Sequence, residues 1–277
     1  MGDTLSYFDA PGLDGRRRIA ALAHRGFSRP GGVDNGLENS MMAFQAAVDL
    51  GFTYVETDAH GTSDGVAVAL HDTTLDRTTD GHGQVGQLPW SVVKQAKIGG
   101  VDPVPALTDL LGTWPHLRVN IDVKHVSGIE PIATAIEHTA SWNRVCVTSF
   151  SPARRRATVA RLSRPVATSA GVAEVASFVG GARTRIDAWC RRALRDVDAL
   201  QVPARHLLPS EERGPLAVTV VDRATVAAAH RAGKPVHVWT INDVDNMTRL
   251  LDLGVDGIVT DRADLLKQVL ESRGQWA

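Results

Sequence analysis

Histidine, arginine and carboxylate side chains follow several apolar runs of this sequence, at the point where each run ends. His24 and Arg25 follow the first run, Glu56 and Asp58 end the second, and Asp122 ends the third. Three converging carboxylates would repel one another, and a divalent cation that prefers oxygen ligands would remove that repulsion. The pattern is therefore compatible with a Mg²⁺ or Ca²⁺ site, although spacing alone equally allows ordinary strand ends.

Two histidines could serve such a site in phosphoryl transfer. His24 ends the first run, and His71 follows the apolar segment 66–70. Near a metal, one histidine could act as the general base and the other as the general acid. Arg25 could make bidentate hydrogen bonds to a phosphodiester. Each residue also has a structural explanation, since Lys124 could simply pair with a carboxylate and a lone histidine is more often structural than catalytic.

Eight short runs rich in Val, Ile and Ala must position these residues. They span residues 18–23, 53–59, 118–124, 144–150, 165–170, 198–203, 235–240 and 256–261. Nearly continuous apolar runs are typical of parallel strands that are covered on both faces. Helical patterns that end on or beside a glycine lie between them, at 39–51, 222–234 and 243–254. This alternation predicts an α/β fold, a (β/α)8 TIM barrel, with a doubly wound parallel sheet as the alternative.

The chain length favours one domain over two. The 277 residues predict a single domain, 1–277, with one small insertion after the second strand at about 72–106. This insertion is rich in Gly, Thr and Asp, with a short helix expected at 90–97. Long excursions of this kind in compact domains are usually functional or disordered.

Composition excludes several classes of partner. The net charge is −1 and aromatic residues make up only 5%, which argues against a nucleic-acid partner. No apolar run approaches the roughly 18 residues of a membrane span, so no stable membrane insertion is expected. Two cysteines, Cys146 and Cys190, are too few for a disulfide framework. The predicted location is the cytoplasm, and the oligomeric state stays open.

Several short motifs occur in an order that resembles the glycerophosphodiester phosphodiesterase family. They are "HRG" at 24–26, "ENS" at 38–40, "ETDAHGTSDG" at 56–65, "HD" at 71–72, "LDRTTDGHGQV" at 75–85, "NIDVK" at 120–124, "VWTIN" at 238–242 and "GVDGIVTDR" at 254–262. No single motif is specific. Together, however, they extend over residues 19–266, nearly the whole chain.

The resemblance implies a TIM barrel whose mouth is capped by the insertion. It implies metal-dependent cleavage of a glycerophosphodiester into sn-glycerol 3-phosphate and an alcohol, with His24 and His71 as the acid/base pair. It places Glu56, Asp58 and Asp122 as the ligands of Mg²⁺ or Ca²⁺. The substrate-binding residues that it implies are Arg25, Glu38, Lys124, Phe150 and Trp239.

The five implied substrate-binding residues would have different roles. Arg25 and Lys124 would contact the phosphate, and Glu38 would support the glycerol or the metal. Phe150 and Trp239 would line the pocket.

Asp122 departs from the family pattern, which usually has glutamate at this position. The aspartate side chain is one methylene shorter, so it would reach a metal only through a water or after a small strand shift. Because Mg²⁺ demands stricter coordination geometry than Ca²⁺, the change would affect Mg²⁺ more.

Two other functions remain open from the sequence. Lysophospholipase D-type cleavage of a larger diester would need an apolar groove, for which the insertion offers few side chains beyond Leu88, Trp90, Val92, Val93 and Ile98. A barrel that binds a phosphodiester without cleaving it is supported by Asp122 alone. The presence of both histidines argues against it, because a binding module has little use for an acid/base pair.

Overall fold

The computed structural model describes residues 7–8, 19–208 and 216–276. The strands are β1 (Ala20–His24), β2 (Tyr54–Gly61), β3 (Ala67–Ala69), β4 (Lys97–Ile98), β5 (Asp102–Pro103), β6 (Arg118–Val123), β7 (Val145–Thr148), β8 (Ala167–Thr168), β9 (Leu200–Pro203), β10 (Arg205–Leu208), β11 (Leu216–Thr219), β12 (Val236–Trp239) and β13 (Gly257–Thr260). The helices are α1 (Met41–Asp49), α2 (Trp90–Val93), α3 (Leu107–Thr113), α4 (Ile129–His138), α5 (Pro152–Val159), α6 (Val172–Arg183), α7 (Asp187–Ala193), α8 (Arg223–Arg231), α9 (Val244–Leu253) and α10 (Ala263–Ser272).

Eight of the strands form a parallel barrel. Their spatial order is β1, β2, β6, β7, β8, β9, β12 and β13, and β13 pairs with β1. A parallel bridge between Ser169 and Ala199 joins the chain after β8 to the start of β9. Each of the eight predicted runs overlaps one of these strands, so the TIM barrel is confirmed and the doubly wound sheet is excluded.

Helices α8 and α9 begin at the aspartates that the sequence predicts, and α9 ends at the predicted glycine. The carboxylate of Asp222 accepts a hydrogen bond from the backbone N–H of Thr225 at 2.9 Å, at the start of α8. Asp243 does the same for Asn246 at 2.8 Å, at the start of α9. Gly254 ends α9 with a φ of 88°, a left-handed conformation that glycine adopts without steric cost.

The insertion has a small hydrophobic core of its own. Strand β3 folds back on the end of β2 as an antiparallel partner, and the insertion follows it. Val85, Val93, Ile98 and Val104 are fully or almost fully buried together, with Leu88 and Trp90 packed against them. The helix expected at 90–97 is only one turn long, because Lys97–Ile98 leaves it to pair with β5.

Two expectations from composition concern the cysteines and the membrane. Cys146 and Cys190 are both buried free thiols. In the described ranges, 7–8, 19–208 and 216–276, no helix has the length and apolarity needed to cross a membrane.

Polar and apolar side chains lie in separate layers inside the barrel. Leu22, Tyr54 and Val259 form an apolar cluster with Tyr7, whose backbone carbonyl accepts a 2.6 Å hydrogen bond from the Tyr54 hydroxyl. Asn120, on β6, lies opposite Glu56 in the register of the two strands. Its side-chain oxygen accepts a 2.9 Å hydrogen bond from the Gln201 amide on β9, across the barrel. This contact joins strands on opposite sides of the barrel.

The turn after β1 depends on a glycine. Gly26 has a φ of +80°, and a β-carbon built on it would lie 2.6 Å from the backbone carbonyl carbon of Ala43 on α1. Gly65 has a similar φ of +85°, but a β-carbon there would meet no atom within 4 Å. Alanine substitutions at the two positions would therefore separate the cost of backbone strain from the cost of a steric clash.

We expect Gly26→Ala to lower the free energy of unfolding by about 3 kcal/mol, from left-handed strain and overpacking together. Gly65→Ala should cost only about 1–2 kcal/mol, from the backbone strain alone. Urea unfolding of both variants measures the difference. Equal costs would show that α1 moves away from Gly26 without penalty.

Candidate active site

A cavity of about 680 Å³ opens at the carboxyl ends of the barrel strands. Polar residues that follow different parallel strands converge at this end of a TIM barrel. The predicted site residues that line the cavity are His24, Arg25, Glu56, Asp58, His71, Asp122, Lys124, Phe150 and Trp239. Glu38, the remaining predicted residue, bonds to the Arg25 guanidinium at 3.1 Å. The structure thus brings all ten predicted residues into one region.

His24 is held by a carboxylate from the last strand of the barrel. Its Nδ1 donates to Asp261 Oδ1 at 2.5 Å, and Asn242 donates to the other oxygen of Asp261 at 2.7 Å. On the opposite side of the ring, Nε2 lies 3.7 Å from Glu56 Oε2. Burial alone would lower the pKa of His24, but the charges of Glu56 and Asp261 outweigh it and raise the pKa. The ring is therefore fixed with Nε2 directed at the carboxylate cluster.

His71 has a similar carboxylate partner. Its Nδ1 donates to Asp72 Oδ1 at 2.6 Å. The Arg77 guanidinium binds both oxygens of Asp72, at 2.6 and 3.0 Å, and holds the pKa of that carboxyl well below its usual range. The same guanidinium donates to Glu38 at 2.6 and 3.2 Å. Arg77 therefore connects the insertion to the loop that carries Glu38.

Three buried carboxylates lie beside the histidines. Glu56 and Asp58 are on β2, and Asp122 lies opposite Asp58 on β6. Burial, together with the nearby Asp58 charge, raises the pKa of Glu56 to about 8. Burial also raises the pKa of Asp122. These shifts indicate that negative charge is crowded at this point of the barrel.

Two cations offset part of that charge. Arg25 Nε lies 2.9 Å from Asp58 Oδ2. Lys124 Nζ lies 3.2 Å from Asp58 Oδ1 and 3.2 Å from Asp122 Oδ2, so it pairs with both carboxylates. Burial alone would raise the pKa of Asp58, but these two cations outweigh it and lower the pKa. Lys124 therefore has a structural role in addition to any contact with substrate.

The chemistry of these three carboxylates also suits a divalent cation. Within the part of the chain that the structure describes, no group of three or more His, Cys, Asp or Glu side chains is arranged to hold a metal ion. However, Asp122 Oδ1 is buried and accepts no hydrogen bond from any described residue. An unpaired buried carboxylate oxygen and a neighbouring carboxyl with a raised pKa are both features that bound Mg²⁺ or Ca²⁺ would relieve. The three predicted ligands thus fit a metal, and their assignment as ligands stays a prediction.

Sequence reasoning missed two residues that organise the site. Asn39 is fully buried with a φ of 61°, and its side chain donates to Asp58 at 3.2 Å and accepts from Thr57 at 2.8 Å. Arg77 makes the connections described above. Both lie inside motifs that the sequence displays, "ENS" at 38–40 and "LDRTTDGHGQV" at 75–85. The motif was the available signal, but only the tertiary contacts identify the residue that matters.

The far side of the cavity is apolar, which the sequence also did not predict. Helix α6 contributes Val172, Val175, Ala176 and Val179, and the chain at and after β11 contributes Val218 and Val220. Most apolar residues of the insertion, by contrast, pack in the insertion's own core, while Val92 and Val101 are exposed. Phe150 and Trp239 stand between the two halves with ring centroids 5.6 Å apart, and Lys124 Nζ lies 5.7 Å from the centre of the Phe150 ring.

The fold and the site together define a TIM-barrel hydrolase with paired histidines, carboxylates and phosphate-compatible cations in one cavity. Residues 24–265 match the family described as the glycerophosphoryl diester phosphodiesterase family. The chain belongs to this family.

Individual relatives agree with this assignment. The chain is 43% identical over 259 residues to a probable glycerophosphodiester phosphodiesterase 2 of Mycobacterium tuberculosis, with 92% of each chain covered. A glycerophosphodiester phosphodiesterase of Caldanaerobacter subterraneus is 28% identical over 274 residues, covering 93% of this chain and all of that protein.

Solved structures share the barrel. An Oleispira antarctica phosphodiesterase in complex with the product sn-glycerol-3-phosphate superposes with a TM-score of 0.70 at 20% identity, covering 92% of this chain and 97% of the other. A glycerophosphodiester phosphodiesterase from Agrobacterium tumefaciens gives a TM-score of 0.69 at 24% identity, covering 90% of this chain and 99% of the other. At these identities the likeness shows the fold.

Replacing Arg77 with glutamine should slow cleavage of a glycerophosphodiester by about tenfold, because small displacements of a catalytic group carry large kinetic costs. The substitution frees Asp72, and through it the ring of His71. Arg231→Gln is a matched control, since Arg231 makes a similar paired contact with Asp187 at the surface, at 3.0–3.2 Å. Steady-state kinetics of both variants test the role of Arg77, and equal rates for the two would contradict it.

Proposed function

We propose that this chain hydrolyses glycerophosphodiesters to sn-glycerol 3-phosphate and an alcohol, with His24 and His71 as the acid/base pair. One observation carries the proposal. Both histidines line the same cavity, and each donates its Nδ1 proton to a carboxylate, at 2.5 and 2.6 Å. That hydrogen bond selects the ring tautomer and leaves Nε2 as the nitrogen that can exchange a proton with substrate.

The cations of the cavity suit the phosphate of such a substrate. Arg25 and Lys124 present their charges on the same side of the cavity as the histidines, and guanidinium and ammonium groups both bind phosphate oxygens. Glu38 holds the Arg25 guanidinium at 3.1 Å and so orients it. Phe150 and Trp239 bound this side of the cavity with their ring faces and edges.

Proton transfer then follows from the positions of the two histidines. One imidazole takes the proton of the attacking hydroxyl, and the other, protonated, donates to the leaving alkoxide. The attacking hydroxyl is either that of a water molecule or the glycerol 2-hydroxyl, whose cyclic phosphate a water then opens. The carboxylates at Nδ1 stabilise whichever ring carries the positive charge. The hydrogen bond and charge of Asp261 favour the protonated form of His24, which suits the general acid.

A divalent metal completes the proposed site. Glu56, Asp58 and Asp122 are the residues that would hold it, and members of this family generally require such an ion. When bound, the ion stabilises negative charge on the phosphoryl oxygens. Among the residues that the structure describes, Asp122 alone has a buried carboxylate oxygen without a hydrogen-bond partner, and a cation would satisfy it.

Location and partners rest on the sequence alone. A cytoplasmic location and the absence of a nucleic-acid partner stay predictions. The small-molecule diester is the partner that we propose, and the oligomeric state is left open.

His24→Gln should lower kcat/KM at least about a hundredfold, because glutamine cannot transfer a proton and a general acid or base contributes roughly 10²- to 10⁴-fold. Release of glycerol 3-phosphate from glycerophosphoethanolamine, in a coupled assay with Mg²⁺, Ca²⁺ or Mn²⁺, measures the effect. His230→Gln is the matched control, because His230 also bonds a carboxylate, Asp256 at 2.8 Å, outside the cavity. Near wild-type turnover in His24→Gln would refute the assignment.

Metal binding can be tested without turnover. If Asp122 ligates the ion, Mg²⁺ or Ca²⁺ at about 100 times its Kd should stabilise the wild-type chain by roughly 2.7 kcal/mol, which thermal unfolding detects as a higher Tm than in EDTA. Asp122→Asn should lose most of this shift, and Asp122→Glu should keep it and improve the response to Mg²⁺. The surface variant Asp187→Asn is the control. An unchanged shift in Asp122→Asn would remove Asp122 from the metal site.

A further inference from the structure

One wall of the cavity is built from a regular apolar face of α6. Val172, Val175, Ala176 and Val179 recur at the i, i+3, i+4 and i+7 spacing of a single helix face, and all four line the cavity. Val172 remains 55% exposed at the mouth. Val175 and Val179 are half-buried and also pack against the main hydrophobic core, so part of each side chain holds α6 on the barrel and the rest faces the cavity.

Other elements extend this apolar surface. Val218 on β11 lies opposite His206 in the β10–β11 pairing, and both residues line the cavity. Val220 follows on the same segment and is buried. At the rim, Phe150 is 50% exposed. We call the surface formed by Val172, Val175, Ala176, Val179, Val218 and Val220 the α6 wall.

The two halves of the cavity suit different chemical groups. Glycerol hydroxyls and phosphate oxygens need hydrogen-bond partners when buried, and the half with His24, Arg25 and Lys124 supplies them. The aliphatic side chains of the α6 wall supply none. A polar or charged alcohol such as ethanolamine would lose hydration against this wall, with only the His206 imidazole beside Val218 as a polar partner. An alkyl or aromatic group would instead gain from leaving water.

We infer that the α6 wall selects glycerophosphodiesters whose leaving alcohol carries an alkyl or aromatic group, with Val175 and Val179 as specificity-determining residues. The inference rests on the proposed function, since it takes the glycerol phosphate to occupy the polar half. The cavity supports it by its continuity, because the wall and the two histidines line the same 680 Å³ space. An apolar group on the leaving alcohol would therefore share one continuous space with the wall.

A pair of simple substrates tests this specificity. The hexyl ester of glycerol 3-phosphate and glycerophosphoethanolamine release the same glycerol 3-phosphate but differ in the alcohol. Each methylene buried against the wall should improve kcat/KM by about fourfold. Partial burial of the hexyl chain should therefore favour the hexyl ester by at least about tenfold. An equal or higher kcat/KM for glycerophosphoethanolamine would overturn the inference.

Variants locate the effect on the wall. Val175→Thr/Val179→Thr keeps the side-chain size and adds two hydroxyl groups to the apolar surface. It should lower kcat/KM for the hexyl ester about tenfold and change that for glycerophosphoethanolamine by less than about twofold. Val92→Thr, on α2 and outside the cavity, is the control, because Val92 is also partly exposed, at 46%. An equal loss for both substrates would reveal a purely structural role and overturn the inference.

Two further measurements separate the remaining outcomes. Lysophosphatidylethanolamine carries its acyl chain on the glycerol, so a preference for it over the hexyl ester would show that the wall holds the other half of the substrate. Calorimetric binding of both diesters to His24→Gln tests the wall without turnover. Tighter binding of the hexyl ester would support the role of the wall even if no diester were cleaved. The absence of cleavage would refute only the proposed reaction. Equal binding would overturn the wall itself.

Discussion

The burial of negative charge on β2 and β6, beside the carboxyl end of β1, is the constraint on which the site depends. Glu56, Asp58 and Asp122 are each at most 7% exposed, and such carboxylates are costly to bury without opposite charge. Arg25 and Lys124 supply that charge from the two neighbouring segments of chain. This mixture of charges is compatible with both a phosphate and a divalent cation. The phosphate would contact the two cationic side chains, and the metal ion would contact the carboxylates.

The two histidines that we propose as the acid/base pair depend on long-range contacts with the rest of the barrel. His24 and its partner Asp261 lie at opposite ends of the chain and meet only because β13 pairs with β1. His71 depends instead on the insertion, through Asp72 and Arg77. Closure of the barrel and folding of the insertion are therefore both needed before the two imidazoles are oriented, which links the integrity of the fold to the proposed chemistry.

Much of the fold followed from local patterns, and the exceptions have local causes too. Continuous apolar runs predicted all eight barrel strands, because a strand covered on both faces has no polar side to show. Aspartate predicted the starts of α8 and α9, because a helix N-terminus needs a side-chain acceptor. The pattern at 90–97 overstated α2, since pairing of Lys97–Ile98 with β5 competes with the last helical turn. The helix propensity of residues 90–97 could not reveal that β5 competes for Lys97–Ile98.

The sequence by itself determined which chemical groups are present and at which strand ends they stand, because the order of the motifs and the parallel strands place them at one edge of the barrel. Only the tertiary structure decided how those groups are paired. Arg77 reaches Glu38 across 39 positions of chain, and Lys124 bridges carboxylates on two strands. The α6 wall likewise arises only when the barrel brings α6 and β11 to one cavity. Contacts of this kind depend on side-chain direction and on distances across the barrel, which residue spacing does not encode.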